Sequence, residues 1–102
     1  MLVGMRAFFF ALAILLPPAL AQADGATERY APAQLSVAQD FLARARAAAE
    51  RGDSGLAGKL AWQASLDARL AWGMTESQPL RAEAAQVGNA AHALIHRLAA
   101  SP

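Results

Sequence analysis

From Leu35 to Leu98 alanine recurs at steps of three and four, and the pattern breaks twice, at Arg51-Gly52-Asp53 and between Gly73 and Pro79. Steps of three and four return a side chain to the same face of an α-helix, so each unbroken stretch reads as one helix with a small-residue stripe. Strand-like alternation occurs nowhere in the chain. The class is therefore all-α: an antiparallel helical hairpin plus a third, C-terminal helix, following an N-terminal signal peptide.

Pro32 opens the first helix in this reading, because a first-turn proline lacks only an N–H that would be unpaired anyway. Residues 24–31 then form a flexible polar lead, and residues 32–100 the hairpin domain with its third helix. Leu35, Ala38, Leu42, Ala45 and Ala49 make the first stripe. Gly52 ends it, since glycine accepts the left-handed conformation of a helix C-terminus. Asp53 caps the next helix, which runs from about Ser54 to Met74. Its inner face carries Ala57, Leu60, Ala61, Ala64, Ala68 and Ala71. Trp72 falls at the margin of that face and is expected to fold over the core edge, whereas Trp62 and Leu66 fall opposite. Tyr30 is expected to staple the start of the first helix. Gln63 and Asp67, near the inner edge, either face solvent or bond across to Arg44 or Gln39. Thr75 or Ser77 caps the third helix with Pro79 in its first turn, unless the helix continues through a kink. Leu80, Ala84, Val87, Ala91, Leu94, Ile95 and Leu98 form its aliphatic stripe. Two arrangements cover that stripe: folding back over the hairpin and hiding Trp62, or a coiled-coil-like seam with a second copy.

The N-terminus has the order of a secretory signal. Arg6 precedes the apolar run Ala7 to Leu16, Pro17 and Pro18 interrupt it, and small residues follow. The run is about half the roughly 20 residues that a membrane-spanning helix needs. Ala21 and Ala23 suit a signal peptidase, with residues 1–23 as the signal, and the expected location is the periplasm with no stable membrane anchor after cleavage. The nine Lys/Arg include Arg6, the only charged residue of that segment, so eight remain against eight Asp/Glu. A neutral domain without a basic stripe does not point to nucleic acid. The chain contains no cysteine, which removes disulfides and thiol-linked lipid alike.

The stretch from Tyr30 to Ala71 carries Tyr-Ala-Pro-Ala-Gln-Leu at 30–35, Gly52-Asp53, Leu60-Ala61, Gln63-Ala64 and Asp67-Ala68 in order. In this combination it resembles the bacterial domain-of-unknown-function 4398 family of alanine-rich exported helical hairpins. The resemblance implies a cell-envelope protein, a kind often lipidated or joined to a peptidoglycan-binding domain of the outer-membrane protein A type. It implies no catalytic residues.

Chemistry-bearing residues are sparse. His92 and His96 are four apart and share a helix face, the spacing of two metal ligands, but the residue after His92 is Ala93 rather than a glutamate. Ser36, Ser54, Ser65 and Ser77 have no recognisable base partner in the sequence. The carboxylates are scattered, and no phosphate-binding glycine loop occurs. The expected function is a non-catalytic structural or protein-interaction module of the envelope, without cofactor. It would pair with itself or an envelope partner through Trp62, Leu66, Leu80, Val87, Leu94 and Leu98. The alternative is a metal- or small-ligand-binding protein using His92 and His96.

Overall fold

Gly52 decides the topology. It has φ of 84°, and on either side of it the Gly52 amide donates to the Ala49 carbonyl at 3.0 Å and the Asp53 amide to the Ala48 carbonyl at 2.9 Å. These paired bonds satisfy carbonyls that a helix end leaves orphaned and turn the chain back on itself. The Asp53 carboxylate then accepts from the Leu56 amide at 3.2 Å and caps the following helix. The computed structural model describes residues 23–100, which form three helices: α1 (Ala23–Glu50), α2 (Ser54–Gly73) and α3 (Gln78–Ala100). The proposed signal segment, apart from Ala23 at the start of α1, lies outside the described residues, and so does Ala21.

The three helices run alternately up and down. Thr27 meets Met74 and Gln34 meets Asp67, so α1 and α2 are antiparallel. Ser65 meets His92 and Gly88 approaches Ala68, so α2 and α3 are antiparallel too. α3 folds back and packs mainly on α2, with a smaller contact to α1. Leu35, Ala38 and Leu42 of α1, Ala64 and Ala68 of α2, and Ala84, Val87 and Ala91 of α3 share one core. A second cluster joins Ala45, Ala61 and Leu94.

The break before Pro79 is a turn, not a kink. The Ser77 hydroxyl accepts from the Leu80 amide at 3.4 Å, and Pro79 occupies the first turn of α3, where no N–H is missed. Pro32 behaves differently from expectation. It lies inside α1, which begins at Ala23 and includes the segment expected as a polar lead. A proline there removes one helical bond and crowds the carbonyl of Glu28, a cost of roughly 3 kcal/mol. Tertiary contacts on the N-terminal side of it oppose that cost. Ala31 is buried, and Glu28 is bonded to the loop between α2 and α3.

Candidate functional site

The core is built from small residues. Eleven of the fifteen buried hydrophobic residues among those described are alanine, leaving only Leu35, Leu42, Val87 and Leu94 as large ones. Seven large hydrophobics among the described residues are exposed instead: Tyr30, Val37, Leu56, Trp62, Leu66, Leu70 and Trp72. Alanine stripes let the helices approach closely, and the larger apolar side chains are left on the outside. An exposed patch of large apolar residues is the informative departure from an ordinary surface.

Trp62, Leu66 and Leu70 are four apart in succession, so they form a ridge along the outward face of α2. They are 52%, 40% and 53% exposed, respectively. Lys59, Gln63 and Arg69 flank the ridge and are exposed as well. α3 leaves Trp62 uncovered, contrary to one of the two arrangements expected. Of the other residues expected on an interaction surface, Val87 and Leu94 are buried in the protein's own core, and Leu80 and Leu98 are half-buried at its edges. Folding back of α3 consumes that stripe, so it is not free to form a seam.

Trp72 does not fold over the core edge. It is 44% exposed and lies under the Arg81 guanidinium, 4.0 Å from the ring centroid. Arg81 Nε also donates to the Thr75 carbonyl at 2.7 Å, which fixes the cation over the indole. The same loop is gripped from α1. Glu28 accepts from the Thr75 hydroxyl at 2.6 Å through one oxygen and from the Glu76 amide at 2.9 Å through the other. These two bonds, Thr75 first, hold the Glu28 carboxyl below its ordinary value of 4.5 against an opposing effect of burial, and nearby Arg81 adds the least. Tyr30, expected as the staple at this end, is 61% exposed, and the fastening falls to Glu28 two residues earlier.

Asp67 does reach α1, but its partner is neither Arg44 nor Gln39. Gln34 Nε2 donates to Oδ1 at 3.1 Å, while Gln63 of the same helix donates to Oδ2 at 3.3 Å. Arg44 pairs locally with Asp40 at 3.0 Å, in an exposed contact one helical turn apart.

Ser65 has a base-type neighbour that the sequence does not disclose. Its Oγ lies 3.3 Å from Nε2 of His92, and the serine is 3% exposed. The pair opens on a groove of about 190 Å³ between α2 and α3, with Arg69, Trp72, Gly88 and Asn89 around it and Ala68, Ala84 and Ala85 as apolar wall. His96 is exposed and does not line this groove. Among the described residues no three His, Cys, Asp or Glu side chains are grouped to hold a metal ion. A wider groove of about 490 Å³ lies between α1 and α3, lined by Arg46, Glu50, Arg97 and Leu98 among others.

The family model described as Domain of unknown function (DUF4398) matches residues 19–87. The chain belongs to this family. The DUF4398 match spans all of α1 and α2 and reaches Val87, midway along α3, so it covers the hairpin, its Gly52 turn and the loop gripped by Glu28. No curated protein and no solved structure matches the chain. Among the described residues no helix is long and apolar enough to cross a membrane.

Proposed function

We propose that this DUF4398 chain is a non-catalytic interaction module of the bacterial cell envelope, exported to the periplasm, which associates with a second copy of itself through the Trp62–Leu66–Leu70 ridge. The observation that carries the reading is the placement of large apolar side chains outside an alanine core. The leader-like order of Arg6, the apolar run and the small residues supports export.

A second copy suits the ridge because of its internal symmetry. In an antiparallel pairing centred on Leu66, the two leucines meet on the two-fold axis and Trp62 of each copy faces Leu70 of the other. The same register sets Arg69 opposite Gln63 and Lys59 opposite Gly73. No like charges oppose each other, and the small Gly73 leaves room for the lysine stem. Such self-complementarity is what a two-fold interface requires.

The absence of cysteine makes a direct test available. Leu66→Cys, at the centre of the register, is expected to oxidise readily to a disulfide-linked dimer, whereas Ala93→Cys on the exposed face of α3 is expected to stay monomeric. Equal and slow cross-linking at both positions would overturn the pairing.

A further inference from the structure

The groove between α2 and α3 shares only Arg69 with the flank of the ridge. Its polar rim consists of Ser65, Arg69, Asn89 and His92, and the Trp72 indole also lines it. Every polar group on that rim is able to donate a hydrogen bond: a hydroxyl, a guanidinium, an amide and an imidazole. No carboxylate among the described residues lines it. Among the described residues Arg69 has no carboxylate partner, and Asp67, its near neighbour in sequence, is engaged with Gln34 and Gln63. The larger α1–α3 groove is different, since Glu50 sits there beside Arg46 and Arg97.

Ser65 and His92 are held to one another at 3.3 Å, so the serine hydroxyl is oriented before any ligand arrives. They do not make a catalytic pair of the hydrolase kind. Both residues lie inside helices, where backbone amides are already bonded and are unavailable to stabilise an oxyanion. Hydrogen-bond donors together with alanine and indole surface in one groove select a molecule with an anionic head and a flat apolar body.

The geometry points to this groove as a binding site for a small organic oxyanion, a carboxylate or phosphate ester, with the head on Arg69, Asn89 and the Ser65–His92 pair and the body against Trp72. A volume of about 190 Å³ is below the roughly 300 Å³ at which drug-sized sites begin, so the ligand is fragment-sized. The site shares Arg69 with the flank of the ridge, and its other groups, Ser65, Trp72, Asn89 and His92, stand outside the ridge.

Gly88 supplies a variant that separates binding from folding. A Cβ there would meet only the Ala68 Cβ at 3.8 Å, an ordinary contact, and glycine within a helix is unfavourable relative to alanine. Gly88→Ala should therefore raise the melting temperature while placing a methyl group in the groove.

The test is titration of the isotope-labelled protein with benzoate, phenyl phosphate and the neutral control benzyl alcohol, followed by NMR. Saturable shifts of the Trp72 indole and of the Ser65 and Asn89 amides are expected with an anion. Whichever anion binds more tightly identifies the head group. Benzyl alcohol, and either anion with Arg69→Gln, should bind about tenfold more weakly or worse, the loss expected for one charge-assisted hydrogen bond. Gly88→Ala should weaken binding despite its higher melting temperature. Absence of saturation with both anions, shifts mapping outside the groove, or equal binding by Arg69→Gln would overturn the site.

Discussion

The Thr75 hydroxyl, in the loop between α2 and α3, donates a 2.6 Å hydrogen bond to the carboxylate of Glu28, near the start of α1. Thr75 is buried, and its oxygen also accepts from the Ser77 amide at 3.0 Å, so one side chain ties the start of α3 to the far end of the hairpin. Replacement by the isosteric valine leaves both partners short of a bond. Thr75→Val is expected to lower stability by about 1–3 kcal/mol, read from chemical denaturation.

The same contact has a pH signature. Glu28 is held below its ordinary 4.5 in the folded protein, first by Thr75 and then by the Glu76 amide and Arg81. A carboxylate with a depressed folded pKa contributes stability that is fully present above the unfolded value and is lost as pH falls through the folded one. Wild type and Glu28→Gln should therefore differ in melting temperature at neutral pH and converge as pH is lowered beneath 4.5. A constant gap down to strongly acidic pH would contradict the role given to the carboxylate.

Pro32 is expected to be a net cost to α1. It is exposed within the helix, and alanine there restores the bond to the Glu28 carbonyl. Pro32→Ala should stabilise the protein by roughly 1–3 kcal/mol and raise helicity in circular dichroism. Loss of helicity would show that α1 does not run continuously through this position.

Gly52→Ala tests the hairpin turn. A Cβ at Gly52 meets nothing within 4 Å, so the penalty is purely that of the backbone at φ of 84°. It should amount to about 1–2 kcal/mol, the cost of a left-handed conformation for a residue with a side chain.

The alanine core predicts sensitivity to enlargement rather than truncation. Ala61 is fully buried between Ala45 and Leu94, and Ala61→Leu should destabilise by roughly 1–3 kcal/mol or more as the helices are forced apart. Trp62→Ala, one residue along but on the ridge, should leave the thermal stability of the monomer nearly unchanged.

Much of this architecture is legible in the sequence because its signals are local. The alanine steps, the Gly52–Asp53 turn and the Ser77–Pro79 helix start each depend on residues within a few positions, and each lies where its chemistry indicates. Contacts that depend on how one helix is rotated against another are not legible in that way. The Gln34 partner of Asp67 and the Ser65–His92 pair join residues 33 and 27 positions apart, and no spacing rule selects them. Trp72 and Pro32 depart from the sequence expectation for a related reason. Arg81 offers the indole a cation on the outside, and the Glu28–Thr75 bond carries the helix past a residue that would ordinarily begin it.

Sedimentation equilibrium of residues 24–102 at micromolar concentrations, with and without Leu66→Lys, tests the central claim most directly. The ridge pairing predicts a reversible dimer that becomes monomeric on Leu66→Lys while its circular dichroism is unchanged. A monomer throughout the micromolar range, or a dimer indifferent to a charge at Leu66, would contradict it.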